Sequence, residues 1–243
     1  MRCLKNRVTL LLALLSLIIP FQAFAQWDKK PYTEWTEKEA QKLLNDSPWG
    51  RTQVYTSNVS LFRGPTSGRV GVNSPTSANT DTATHLNFRI RFLSAKPIRQ
   101  AIARLLEVKQ KQSLSNELAA HLKSIVEGEF LEYIVITVSV DSQQVGSNVQ
   151  EAYGLLQSRG TAVLKNNTYL EIKGGKRIFL HEYQPPKPDG LGARFIFQRL
   201  VDGKPFITPE SEEIHFFTEL NNTYRLDRRY KVKDMMYEGK LEY

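Results

Sequence analysis

From Thr161 onward, the sequence alternates apolar and polar residues with a period of two, and this pattern restricts the fold more than any other feature of the chain. Side chains of a β-strand point to opposite faces at this period, so the pattern predicts consecutive strands with one buried face. Polar dipeptides that favour tight turns interrupt it. The predicted turns are Gly174-Gly175, Asp202-Gly203 and Asn221-Asn222. The C-terminal half is therefore expected to form an antiparallel sheet.

The residues before Thr161 mix helical and strand patterns. Thr36 followed by Glu39 is a capping-box pattern, in which each side chain satisfies the other residue's free backbone donor at a helix start. The predicted helices are about 37–44, 97–109, 116–127 and a fourth between Ser147 and Gly160, and the predicted strands lie in 53–63, 85–93 and 133–140. This order predicts an α+β fold, in which three or four short helices from the N-terminal half pack on an antiparallel sheet formed largely by the C-terminal half.

Two of the three tryptophans, Trp35 and Trp49, flank the first predicted helix. A helix of this length is not stable alone in water, so it must dock on another part of the protein. Trp35 precedes the cap and is placed to pack on Ala40, and Trp49 follows the helix end at Pro48. The two indoles are interpreted as structural anchors for this helix, and ligand contact is the alternative.

The first 25 residues have the three-part layout of a cleavable secretory signal: a basic start, an apolar run from Val8 to Ile19, and small residues up to Ala25. The run is too short to span a bilayer, so we expect cleavage after Ala25, no transmembrane segment thereafter, and a secreted or periplasmic location. Cys3, the single cysteine, would leave with the signal, so the mature chain would have no disulfide and no thiolate site. Residues 26–243 are expected to form one domain with a mobile polar loop at about 64–84.

Motifs that would indicate catalysis or a bound cofactor are missing from the sequence. It contains no GxSxG nucleophile elbow, no GxxxxGK[ST] or GxGxxG phosphate loop, and no HExxH or HxxxH spacing for a metal. Asp141, at the end of a predicted buried strand, is the first candidate for a catalytic acid, and a polar residue that ends a strand is the simpler interpretation. No catalytic centre, metal or cofactor is therefore expected.

The last predicted strand carries the most coherent polar pattern. Its apolar residues alternate with bases that period-two geometry places on one face. These bases are Arg225, Arg229, Lys231 and Lys233. Arg89 and Arg91 alternate in the same way on the strand at 85–93, and they would enlarge the basic face to six cations if the two strands were neighbours in one sheet. The face predicts binding to an anionic partner, and an ordinary solvated face is the alternative.

The mature chain is mildly basic: the full sequence has a formal charge of +8, and the signal contains three bases and no acid, which leaves +5. We expect a secreted or periplasmic, non-catalytic binding or structural module, whose partner is an anionic envelope component or another envelope protein. Nucleic acid is not expected, because Tyr224 and Tyr230 would point away from the basic face. One alternative is a carrier of a lipid-like ligand, with cavity walls at Phe195, Phe197, Phe216 and Tyr230. Another is a hydrolase whose acidic pair the sequence does not reveal.

Overall fold

The computed structural model describes residue 27 and residues 29–58, 83–110, 115–143 and 148–243. Within these ranges the helices are α1 Glu37–Asn45, α2 Lys96–Lys109, α3 Asn116–Glu127, α4 Val149–Ser158 and α5 Thr161–Leu164. The strands are β1 Gly50–Asn58, β2 Ala83–Phe92, β3 Tyr133–Asp141, β4 Thr168–Ile172, β5 Arg177–Phe179, β6 Glu182–Gln184, β7 Ala193–Gln198, β8 Leu200–Val201, β9 Lys204–Pro205, β10 Glu213–Glu219, β11 Arg225–Lys231, β12 Met236–Tyr237 and β13 Lys240–Leu241. Short 3₁₀ turns cover Tyr32–Glu34, Lys165–Asn167, Pro209–Ser211 and Val232–Asp234.

The predicted α+β class is confirmed, because helices dominate the N-terminal half, strands dominate the C-terminal half, and the strand pairings of the described ranges are antiparallel. The strands form two main sheets rather than one. The first sheet has the order β1-β2-β3-β7-β6 and the second has the order β11-β10-β4-β5. Alternation along one strand does not specify which strands pair, so this division is a property of the tertiary structure alone.

The predicted turns join strands as expected, with one difference. The turn at Gly174-Gly175 joins β4 to β5, and the turn at Asp202-Gly203 joins the two-residue strands β8 and β9. Asp202 and Gly203 both have positive φ, as a two-residue hairpin turn of this kind requires. The alternation over residues 193–208 would predict a longer hairpin about this turn, and that prediction is wrong, because β7 pairs with β3 and β6 in the first sheet.

The core lies between the two main sheets. Phe195 of β7 packs edge-on against Phe216 of β10, with 5.6 Å between ring centroids, and Phe92 of β2 packs in the same way against Tyr230 of β11 at 4.9 Å. The prediction that one face of β2 is buried is confirmed, because each of the four apolar side chains on that face is at most 5 % exposed. These side chains are Leu86, Phe88, Ile90 and Phe92. Each such burial stabilises the fold by about 1.5–3 kcal/mol.

Helix α1 begins with the predicted capping box. Thr36 Oγ1 accepts a hydrogen bond from the Glu39 backbone N–H at 3.2 Å, and Glu39 Oε2 accepts one from the Thr36 backbone N–H at 2.8 Å. The end of α1 lies against the start of β1, since a Cβ placed on Gly50 would lie 2.4 Å from the Leu44 carbonyl oxygen. Only glycine allows this approach, so a single residue fixes how closely the helix meets the strand.

Some sequence predictions concern residues outside the described ranges. The secretory signal at 1–25, with its cleavage site after Ala25, is one of them, and most of the polar loop predicted at 64–84 is another. Residues 83 and 84 are described, and they belong to β2 rather than to the loop. Among the described residues, no helix combines the length and the apolar character that crossing a membrane requires.

Candidate functional site

The two main sheets meet where edge strand β1 lies beside edge strand β11. Gln53 Nε2 donates to the Arg225 carbonyl at 2.7 Å, and Gln53 Oε1 accepts from the Asp227 backbone N–H at 3.0 Å. The Tyr55 hydroxyl accepts from the Arg225 backbone N–H at 2.7 Å and donates to the carbonyl of the same residue. Side chains thus take the place of a backbone ladder between β1 and β11, and we call this junction the seam.

The seam is continuous with a groove of about 800 Å³ at the C-terminal end of α1. Its charged lining consists of Arg51, Arg89, Arg228, Arg229, Asp46 and Asp227. Four arginines against two aspartates give this lining a formal charge of +2, and the volume is in the usual range for a small-molecule site. We call it the arginine-lined groove and take it as the candidate functional site.

Arg228 is a groove residue that the alternation along β11 could have revealed, although it is not among the candidate residues predicted from the sequence. Leu226 and Tyr230, whose side chains lie on the same face of β11 as Arg228, are 0 % and 1 % exposed. A charged residue between them interrupts the alternation of apolar and polar side chains along the strand. Arg228 Nη2 lies 3.4 Å from the Thr52 carbonyl oxygen, and Arg228 Nε is buried with no hydrogen-bond partner among the described residues. An unpaired buried donor costs about 1–3 kcal/mol, which a bound anion would offset.

Arg51 reaches the groove from β1. It lies opposite Ile90 in the antiparallel ladder, and Ile90 is fully buried, so the two side chains share the face toward the second sheet. Arg51 Nη1 lies 3.2 Å from Asp46 Oδ1, in a pair whose side chains are 39 % and 72 % exposed. An ion pair this exposed contributes little stability. Arg51 and Arg228 therefore bring weakly partnered guanidiniums to one groove from two sheets.

The structure corrects the expectation that Arg89 and Arg91 could join the basic residues of β11 in one sheet. Both lie on β2 of the first sheet, whereas Arg225 and Arg229 lie on β11 of the second, so the six predicted cations do not share one sheet. Arg89 and Arg229 nevertheless both line the groove, which includes residues of both sheets. Asp141 accepts hydrogen bonds from Arg89 Nε at 2.8 Å and from Arg89 Nη2 at 3.2 Å, and this bidentate pair neutralises the guanidinium.

Arg91 is engaged by the fold rather than by the groove. Its Nε donates to the Leu44 carbonyl at 3.0 Å, and its Nη2 donates to Asn45 Oδ1 at 2.9 Å. These acceptors belong to the last turn of α1, where free carbonyl groups attract a cation. Burial, and then the neighbouring Arg89, lower the pKa of Arg91 to about 10. Arg91 is therefore a desolvated cation that fastens α1 to the first sheet.

The outer face of β11 is mixed rather than basic. Arg229 Nη1 pairs with Glu213 Oε1 at 2.6 Å, and the exposed Lys231 lies opposite Glu213 in the β10–β11 ladder. Lys233 is in the 3₁₀ turn that follows β11, so the predicted strand extended too far. The acids come from the neighbouring strand, which is why the pattern of one strand could not show them.

Aromatic rings on the same face stack on one another. Tyr169 of β4 and Phe217 of β10 stack with 5.0 Å between centroids and 18° between ring planes. The Arg177 guanidinium lies 4.3 Å from the Tyr169 centroid, and the Arg225 guanidinium lies 5.7 Å from the Phe217 centroid. Because each ring has the other ring on one side and a cation on the other, neither offers an open face to a nucleobase.

His215 lies beside the groove and holds one of its acids. His215 Nε2 is 2.8 Å from Asp227 Oδ1, and His215 Nδ1 is 4.0 Å from Glu171 Oε1 without a hydrogen bond. Both ring nitrogens face carboxylates, so the imidazole positions Asp227 and is not directed at the groove as a general base. In the described part of the chain, no group of three or more His, Cys, Asp and Glu residues is arranged to hold a metal ion.

Asp141, the first candidate for a catalytic acid, is a structural partner of Arg89. Burial raises the pKa of Asp141, but the hydrogen bonds from Arg89 and Asn87 outweigh that effect and leave the pKa below its usual value. A carboxylate that stays ionised is a poor proton donor near neutral pH. Its geometry fits the simpler interpretation, a polar residue at the end of a strand.

The four rings suggested as walls of a lipid cavity contact other rings in the core. Phe195 and Phe197 both pack edge-on against Phe216, at 5.6 Å and 6.3 Å between centroids, and Tyr230 packs against Phe92. All four are at most 1 % exposed. They fill the space between the sheets, and the arginine-lined groove lies at its margin.

Trp35 and Trp49 are each 1 % exposed. Trp49 Nε1 donates to the Glu242 carbonyl at 2.9 Å, which connects the end of α1 to the last residues of the chain. The Trp35 ring packs edge-on against Trp27 at 6.0 Å, and its carbonyl accepts from Arg104 Nε of α2 at 2.6 Å. Neither indole lines the arginine-lined groove. Their burial is what an anchoring role requires.

No known protein family and no curated protein matches the chain by sequence. A solved structure from Burkholderia pseudomallei, described as a novel protein of unknown function, resembles it in part. The two chains are 10 % identical, and the similarity covers 59 % of this chain and 74 % of that chain with a TM-score of 0.38. A likeness of this degree supports no statement about function.

Proposed function

We propose that this protein is an exported, non-catalytic binding module that holds an anionic component of the cell envelope in the arginine-lined groove. The observation that carries the proposal is the lining, in which four arginines and two aspartates surround about 800 Å³. Two of these arginines, Arg51 and Arg228, have donors that neighbouring acids do not fully engage. A guanidinium forms paired hydrogen bonds with carboxylate, sulfate or phosphate oxygens, so such a lining favours an anion.

The acids of the groove favour binding over catalysis. Asp46 faces Arg51, and Asp227 is held by His215. General acid–base catalysis requires a group that is free to exchange its proton with the substrate and whose pKa lies near the working pH. Each of the two carboxylates faces a basic side chain, Asp46 facing Arg51 and Asp227 facing His215, and this arrangement is the one expected of a binding surface.

The proposed location rests on the N-terminal sequence, whose layout is that of a cleaved secretory signal. Expression in a host with a secretory pathway, followed by intact-mass measurement of the exported protein, tests it. A mature chain that begins at Gln26 would support export. A chain that stays inside the cell with its first 25 residues attached would contradict it.

Retention on an anionic matrix tests the binding function. The groove variant combines Arg51→Gln with Arg228→Gln, and the control variant combines Lys231→Gln with Lys233→Gln at exposed positions outside the groove. Both lower the net charge equally. We expect the groove variant to elute at clearly lower salt than the control, because close contacts are lost only in the groove variant. Equal elution would mean that only long-range charge matters, and the proposal would then fail.

A further inference from the structure

Two buried donors beside the groove lack partners. Arg228 Nε has no hydrogen bond among the described residues, and neither has the hydroxyl of Tyr230, two residues further along β11 on the same phase. The Tyr230 side chain is among the largest fully buried ones of the core. Arg228 lines the groove and Tyr230 does not, so the incompletely satisfied guanidinium of Arg228 is the one that a ligand in the groove can approach.

Arg51 belongs to the same place. Arg51 and Arg228 both line the arginine-lined groove. Arg51 comes from the first sheet, whereas Arg228 comes from the second. Guanidinium donors from both sheets therefore meet in one groove.

We infer that the arginine-lined groove binds one phosphoryl group between Arg51 and Arg228, and that these two residues determine its affinity rather than the exposed cations of β11. The inference rests on the proposed function and names the ligand class for the same site. A phosphomonoester carries a charge of about −1.5 to −2 near pH 7 and three strong acceptor oxygens, which suits the two guanidiniums of Arg51 and Arg228. A single carboxylate carries only about half of the phosphoryl charge, and it offers fewer acceptor oxygens to the two guanidinium groups.

Calorimetric titration with sodium phosphate, compared with sodium acetate at equal ionic strength, tests the ligand class. We expect saturable binding of phosphate and at least about ten-fold weaker binding of acetate, because acetate would form fewer charged hydrogen bonds with the two guanidiniums than phosphate does. Arg228→Gln and Arg51→Gln should each weaken phosphate binding by about ten-fold or more, and Lys231→Gln should leave it within about two-fold of the wild type. Equal affinity for the two anions, or equal effects of Arg228→Gln and Lys231→Gln, would overturn the inference.

A purely structural role for Arg228 has to be distinguished from a role in binding. In phosphate-free buffer we expect Arg228→Gln to melt no lower than the wild type, because the variant removes a poorly satisfied buried cation. A clearly lower melting temperature would indicate a structural arginine and would count against the inference. Should Arg228→Gln fail to fold, Arg228→Lys keeps the charge without the fork, and undiminished phosphate binding by that variant would overturn the role of the fork.

The phosphoryl group has two possible sources, a lipid headgroup or a soluble phosphate ester. Sedimentation with phosphatidylcholine vesicles that contain or lack phosphatidic acid, beside titration with glycerol 1-phosphate, separates them. Binding to phosphatidic acid vesicles alone identifies the headgroup, and binding to the soluble ester alone identifies a small metabolite. Binding to neither would overturn the inference.

Failure of this inference and failure of the proposed function give different results. If the groove variant loses retention on the anionic matrix but phosphate binds no better than acetate, the groove binds anions and only the phosphoryl class is wrong. If the groove variant and the control variant are retained equally, the groove is not the anion site and both proposals are wrong.

Discussion

Arg91 of the first sheet and Arg228 of the second are both partly buried arginines on β-strands, but their donors are used differently. Arg91 donates to the Leu44 carbonyl at 3.0 Å and to Asn45 Oδ1 at 2.9 Å, so it is held at the end of α1. Arg228 has one long contact, 3.4 Å from Nη2 to the Thr52 carbonyl, and its buried Nε has no partner among the described residues. Partial burial alone therefore does not distinguish a structural arginine from one available to a ligand.

The difference follows from what lies over each strand. The C-terminal turn of α1 covers Arg91 and supplies backbone carbonyl groups that no helix hydrogen bond uses. Arg228 instead meets edge strand β1, where its Nη2 lies 3.4 Å from the Thr52 carbonyl oxygen, beside the groove that both residues line. The helix end over the inner strand β2 satisfies Arg91, whereas the groove beside the edge strand β11 leaves Arg228 incompletely satisfied.

Removal of Trp49 should have the largest effect, because this indole holds the end of α1 that satisfies Arg91. We expect Trp49→Ala to lower the free energy of unfolding by about 4 kcal/mol, through the lost packing of a fully buried ring. Trp49→Phe, which keeps much of the packing and loses the hydrogen bond to the Glu242 carbonyl, should cost about half as much or less. Denaturant unfolding measures both, and a Trp49→Ala midpoint close to that of the wild type would contradict the anchoring role.

Replacement of Arg91 tests the structural side of the comparison. Arg91→Met should lower the free energy of unfolding by about 2–3 kcal/mol, because the Leu44 carbonyl and Asn45 Oδ1 lose their donor. Chemical denaturation followed by tryptophan fluorescence would report it. A stability equal to that of the wild type would mean that α1 does not depend on this cation.

Loss of the helix cap gives a smaller effect on the same region. Thr36→Ala removes the hydroxyl that accepts from the Glu39 backbone N–H, and we expect a loss of about 1 kcal/mol. Thr36→Ser keeps the acceptor and is the matched control. Equal unfolding midpoints for the Ala and Ser variants would show that the cap contributes nothing to the docking of α1.

Replacement of Arg228 should change stability least among these arginine and anchor variants. In phosphate-free buffer we expect Arg228→Met to have an unfolding free energy within about 1 kcal/mol of the wild type, with any change upward, because an unpaired buried donor is removed. Calorimetric melting of Arg91→Met and Arg228→Met side by side makes the comparison direct. Equal losses of stability in the two variants would contradict the distinction between Arg91 as a structural arginine and Arg228 as one available to a ligand.

The dependence of the unfolding free energy on acidic pH tests the smallest effect expected in the α1 region. Hydrogen bonds from Lys30, then from the Thr36 backbone and hydroxyl, lower the pKa of Glu39 from 4.5 to about 2. A lowered carboxyl pKa stabilises the folded state fully above the unfolded value and loses that contribution as the pH falls from 4.5 toward 2. The difference in unfolding free energy between the wild type and Glu39→Gln should therefore narrow over this pH range. A constant difference would contradict the role of the ionised carboxylate.

Local patterns predicted the elements of this protein well, because each depends on neighbours in sequence. The capping box of Thr36 and Glu39, the helix at 116–127 and the buried phase of β2 match the structure. The position of Arg228 was also available, as a charged residue on the buried phase of β11. Arg225, Arg229 and Lys231 on the opposite face form the more regular pattern, and this pattern makes Arg228 inconspicuous in the sequence.

Side-chain periodicity and turn chemistry act over a few residues, so they were enough to predict the α+β class, the turns and the faces of individual strands. The division of the strands into two sheets, the seam between β1 and β11, and the meeting of Arg51 and Arg228 in one groove are properties of the folded chain that no local pattern predicts. Those outcomes depend on which edges pair and on what covers each edge, and periodicity carries no information about either. The physical reason is that the alternation of side chains is encoded along a single strand, whereas the pairing of strands depends on contacts between residues far apart in the chain.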